Sequence, residues 1–105
     1  MPFDASPQTD TVADVLRRAR ALIDSPEMWG KGDGGLDPKH GFCVITALMA
    51  VAHANASIMG AQSAFHRANE IDGYIGTWND DDERTHAEVL DAFDKAISLA
   101  ERGAR

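Results

Sequence analysis

The sequence predicts an all-α fold, a small bundle of about four helices joined by two long irregular connections. Three observations lead there. Apolar residues recur at helical spacing in three separate stretches, a fourth stretch is apolar all round, and no segment makes a convincing strand. With 105 residues, 44% of them hydrophobic and 26% charged, the chain fits one soluble domain of about 100–200 residues. At that size about two thirds of the unfolded surface can be buried without help from a disulfide or a metal. Residues 1–10 hold Pro2, Ser6 and Pro7 without any period and read as a flexible N-terminal arm. Residues 11–103 read as a single helical domain.

The first helix carries Val12, Val15, Leu16, Ala19, Leu22 and Ile23 on one stripe. Asp10 or Thr11 can cap it, Arg17, Arg18 and Arg20 suit its negative C-terminal end, and Ser25-Pro26 stops it. From Glu27 to His40 the chain is rich in glycine and reads as a long loop with Trp29 and Leu36 among its few large apolar groups. The second helix, from about Phe42 to His53, has no polar face, which places it at the centre of the bundle. Ala61, Ala64, Phe65, Ala68 and Ile71 give a third, weaker stripe between Gly60 and Gly73. Tyr74, Ile75 and Trp78 then read as a packed loop. Thr85-His86-Ala87-Glu88 is a capping box, and behind it Val89, Leu90, Phe93, Ala96, Ile97 and Ala100 line the last helix as far as Gly103.

Ten basic residues against 17 acidic ones leave a net charge of −7. The excess is local: Glu70 to Glu101 holds ten acidic residues and only Arg84 and Lys95 to oppose them. Such a field repels phosphate backbones and anionic headgroups, so neither nucleic acid nor a membrane is an expected partner. No apolar run approaches the roughly 20 residues of a membrane span. Met1-Pro2-Phe3-Asp4 lacks the basic-then-apolar order of a signal peptide, and Cys43 is the single cysteine. A reducing cytoplasm is the expected compartment.

The motifs that resemble chemistry mostly have plainer readings. Gly30 to Gly35 satisfies G-x-G-x-x-G, but a helix and a proline precede it where a dinucleotide site needs a strand. Asn79 to Glu83 places four carboxylates in a row without calcium-loop spacing, and anionic residues ahead of a helix favour its dipole. Asn79 or Asp80 can also shape that entry through an Asx turn. His40, His53, His66 and His86 are not spaced to pair on one helix face, so no metal and no cofactor are expected. Cys43 falls in the first turn of the second helix, where a thiolate is favoured, with His40 just upstream. Its apolar surroundings read instead as those of a small buried hydrophobe. Trp29 and Trp78 sit in the two irregular connections. Each either pins its loop to the bundle or flanks a pocket fitted with Asn79, Asp80 and Arg84.

Trp29 before a glycine-rich stretch, Gly41-Phe42-Cys43 leading to Ala47-Leu48, then Trp78-Asn79-Asp80, Arg84-Thr85, Glu88-Val89-Leu90, Phe93-Asp94 and Ala96-Ile97 follow in a distinctive order. Over residues 12–101 that order resembles a family of small helical proteins of unknown function found mainly in actinobacteria and their phages. The resemblance implies a shape but no reaction, cofactor or substrate. It also implies that Trp29, Cys43 and Trp78-Asn79-Asp80 belong together around one shared site. With no recognisable catalytic constellation, a short chain and an acidic C-terminal half, the expected function is non-enzymatic: a module that binds another protein or forms a homodimer. Two alternatives stay open. One is a small-molecule-binding protein of phage or defence context, its pocket lined by Trp29, Trp78, Asn79, Asp80 and Arg84. The other is an enzyme built on Cys43 with His40.

Overall fold

The computed structural model describes residues 11–31 and 41–103, and five α-helices lie within them. The N-terminal arm, the glycine-rich residues 32–40 and with them His40 fall outside the described residues. Helix α1 spans Val12–Leu22, opened by Thr11, whose hydroxyl accepts from the Asp14 amide at 3.1 Å. Of its predicted stripe Val15, Leu16, Ala19 and Ile23 are buried and Val12 and Leu22 half-buried, with Ala13 buried beside them. On its outer side Arg20 pairs with Asp94 at 2.7 Å and Arg17 with Glu101. Pairs this exposed contribute at most about 1 kcal/mol each.

Helix α2 spans Val44–Val51 and α3 spans Asn55–Ala68. Helix α4, Ile75–Asp80, occupies the segment expected to be a packed loop. It is a turn and a half, with Ile75 and Asn79 buried four residues apart on one side. Helix α5 spans His86–Gly103 behind a complete capping box. The Glu88 amide donates to Thr85 Oγ1 at 3.1 Å, and the Thr85 amide donates to Glu88 Oε1 at 3.0 Å. Helix α3 begins six residues before its apolar stripe and runs through Gly60. A Cβ there would lie 2.8 Å from Val12 Cγ2, so the missing side chain is what lets α1 and α3 approach.

The central position differs from expectation. Helices α1, α3 and α5 pack on one another, while α2 lies against α1, α3 and α4. Phe65 of α3 and Phe93 of α5 meet edge-on in the middle, 5.0 Å between ring centroids. Helix α2 buries Val44, Ala47 and Leu48, but Met49 is 53% exposed and Ala50 is also exposed. The reason is geometric: one face of so short a helix suffices to close the core, which leaves the apolar residues of its other face, Met49 foremost, uncovered. Among the described residues there is no strand, only an isolated bridge between Trp29 and Phe42. No described helix is long and apolar enough to cross a membrane.

Candidate functional site

The irregular stretch after α1 is tied down by backbone before any side chain acts. A 3₁₀ turn over Pro26–Met28 delivers Trp29, which runs parallel to Phe42. The Phe42 amide donates to the Met28 carbonyl at 2.6 Å, and the Gly30 amide donates to the Phe42 carbonyl at 3.1 Å. These two bonds join the segments on either side of residues 32–40.

Asn79 locks that junction to the bundle. Its side chain is fully buried. The Oδ1 atom accepts from Trp29 Nε1 at 2.7 Å and from the Val44 amide at 3.3 Å. The Nδ2 atom donates to the Gly30 carbonyl at 3.0 Å and to Asp80 Oδ1 at 3.0 Å. A side-chain amide has two donors and two acceptor positions, so its capacity is used in full. One residue of α4 therefore holds the tryptophan, the loop backbone and the first amide of α2, a group that every helix start leaves unpaired. Lys31 adds an outer tie, donating to the Asp81 and Asp82 carbonyls at 2.8 and 3.3 Å, with its ammonium 5.5 Å from the Trp29 ring centre.

Cys43 is the N-cap of α2 rather than a residue of its first turn. Its Sγ accepts from the Thr46 amide at 3.5 Å, and Thr46 Oγ1 accepts from the Cys43 amide at 3.0 Å. That is a capping box with sulfur in the place of a hydroxyl. At 9% exposure the thiol is largely covered. Iodoacetamide is therefore expected to alkylate Cys43 far more slowly in the native chain than in the unfolded one. Cys43→Ser, which keeps a capping oxygen, should change stability by less than about 1 kcal/mol. Native alkylation as fast as that of the unfolded chain would restore the nucleophile reading.

Trp78 turns the other way from Asn79. Its ring stands edge-on to Phe65 at 5.4 Å, and the Arg84 guanidinium lies 3.9 Å over its ring centre. Arg84 Nε also donates to the Trp78 carbonyl at 2.9 Å, and its Nη1 lies 3.6 Å from Glu88. The five expected pocket residues thus form two groups. Trp29, Asn79 and Asp80 are linked by hydrogen bonds, while Trp78 and Arg84 are stacked on each other beside a cleft of about 290 Å³ shared with Asn69, Glu88, Asp91, Ala92 and Lys95.

The remaining polar candidates serve the frame. Asp81 Oδ1 accepts from the Glu83 amide at 2.9 Å, an Asx turn one residue later than expected. His86 Nε2 donates to the Ile23 carbonyl at 2.7 Å, closing the end of α1, and His66 Nε2 donates to the Gly73 carbonyl at 2.8 Å. Among the described residues no three histidines, cysteines or carboxylates come together as a metal would require. The sequence reading missed Thr46, Lys31 and the Gly30 carbonyl as parts of this junction. Thr46 had a signal, its three-residue spacing from Cys43, which cysteine's rarity as a cap concealed.

Fold and site together define a small all-α bundle whose loop junction is fastened to the core by one buried amide. The chain belongs to a family of unknown function (DUF6197), whose family model matches residues 7–99. No curated protein and no solved structure matches it.

Proposed function

We propose that the protein is a non-enzymatic, self-associating module, and that a second copy of the chain docks on the face formed by α2, α3 and α4. The observation that carries this reading is the grouping of the large apolar side chains left in water. Met49, Met59 and Tyr74 are 53%, 70% and 64% exposed. Met59 and Tyr74 line one groove of about 280 Å³ with Ile45 and Ile75, and Met49 lies one helical turn along α2 from Ile45. Methionine adapts its shape to a partner, and tyrosine is enriched at interfaces.

Charge supports a second copy as the occupant. The groove's other lining residues are Gln62, Ser63, His66 and Gly73, so among the described residues no carboxylate, lysine or arginine lines it. Two chains of net charge −7 repel over most of their surfaces, but this face can meet its own copy without opposing charges. By contrast, Asn79 spends its capacity on the protein's own groups and Cys43 serves as a cap, which supports a structural role for both. Sedimentation over a concentration series should find a monomer–dimer equilibrium that strengthens with added salt as self-repulsion is screened. Met59→Glu should weaken the dimer by about tenfold or more and leave the far-ultraviolet spectrum unchanged. A wild-type chain that stays monomeric at millimolar concentration in high salt would sink the reading.

A further inference from the structure

Across α3 from the proposed dimer face, the first turn of α1 and the last turns of α5 leave a trough of about 690 Å³. Its walls include Val12, Gly60, Ala64, Leu99 and Ala100. Small side chains on all three helices create the space, and the volume falls within the roughly 300–1,000 Å³ of small-molecule sites. A second cleft of about 420 Å³ adjoins it, lined by Arg67, Lys95, Ser98 and Arg102 with Ala68 and Leu99. Arg67 and Leu99 border both. Among the described residues this gathers three cations with no carboxylate in the cleft lining, on a chain with 17 acidic residues.

The cations are differently engaged. Lys95 lies 3.4 Å from Asp91 in an exposed pair, and Arg102 donates to Ser98 Oγ at 2.8 Å. The Arg67 guanidinium, at the junction, has no hydrogen-bond or ion-pair partner among the described residues, although its backbone carbonyl accepts from the Glu70 amide. The acidic group on the trough's rim, Glu101, is already held by Arg17. An apolar trough that ends at a guanidinium unpaired among the described residues is complementary to one chemistry: a hydrocarbon body carrying a carboxylate or similar acid at one end.

We propose that this joined site takes a single-chain amphipathic anion of the fatty-acid type, its tail in the α1–α3–α5 trough and its acid group at Arg67. The proposal is independent of self-association through the α2–α4 side. It is tested by titrating the full chain with decanoate below its micelle concentration, with decanol and acetate as the tail-only and acid-only controls, and reading amide shifts by NMR. Decanoate should bind saturably with shifts at Gly60, Ala64 and Leu99; acetate, with no tail to bury, should bind far more weakly, and decanol more weakly by up to about fivefold, the worth of one exposed charge pair. Arg67→Gln, at an exposed position, should weaken decanoate by a similar factor and leave decanol unchanged. Equal binding of decanoate and decanol, an unaffected Arg67→Gln variant, or capture by anionic phosphatidylglycerol vesicles without binding of monomeric decanoate would each overturn it.

Discussion

Asn79→Ala should destabilise the protein by roughly 3–4 kcal/mol, because it strips partners from an indole N–H, a helix-start amide and a loop carbonyl at once. Val44, whose amide loses its bond, is fully buried, and Asn79 itself has no exposure to water. Water cannot readily replace what is lost. Urea unfolding measures the loss, with an unchanged slope showing that the native and unfolded states keep their surface areas. Asn79→Asp is a sharper probe. Its carboxylate still accepts from Trp29 and from the start of α2, but it cannot donate to Gly30 and it meets Asp80 as a like charge. A loss at least as large as that of Asn79→Ala is expected, because a buried carboxylate then faces the Gly30 carbonyl and Asp80 without a cation, with the Trp29 indole proton still shifted in the NMR spectrum. A loss below about 1 kcal/mol for Asn79→Ala would mean that the junction is held by its backbone bonds alone.

Gly41→Ala should cost about 3 kcal/mol or more, for two reasons that a second glycine separates. Gly41 has φ +85°, and a Cβ there would stand 2.6 Å from the Trp29 carbonyl carbon and 2.8 Å from that of Met28. Both atoms are backbone, so relief requires parting the bridge between Trp29 and Phe42. Gly73 has φ +102° with nothing within 4 Å of its would-be Cβ. Gly73→Ala should therefore show the conformational cost alone, about 1–2 kcal/mol. Thermal and urea unfolding of the pair measure the difference. Equal losses would show that close approach at Gly41 contributes nothing beyond its backbone angle.

Much of the candidate site was legible and part was not, and particular residues show why. Trp29, Asn79 and Asp80 were drawn together by their order along the chain, and they are hydrogen-bonded. Trp78 is expected with them because both tryptophans fall in the irregular connections, yet neighbouring helical residues point about 100° apart, so its ring faces Phe65 and Arg84 while Asn79 faces Trp29. That divergence was hidden while Tyr74–Trp78 was read as a loop, since six residues of helix give too short a stripe to register. The groove that Met59 and Tyr74 share was equally hidden. The two belong to different segments, and no spacing along one segment reveals that their apolar groups are left uncovered together.

The sequence by itself determined the helical class, the apolar stripes of α1 and α5, and the cap at Thr85, and it narrowed the cap of α1 to Asp10 or Thr11. Those features are local, set by side chains within a turn or two of each other. Tertiary structure alone decided that α1, α3 and α5 pack on one another with α2 to one side, that Gly60 lies within a helix, and that a single amide on α4 fastens a loop nearly 50 residues away. Mean hydropathy ranks segments by their appetite for burial. Which one is enclosed depends on length and on close approach between helices, and those follow only from how the rods fit together.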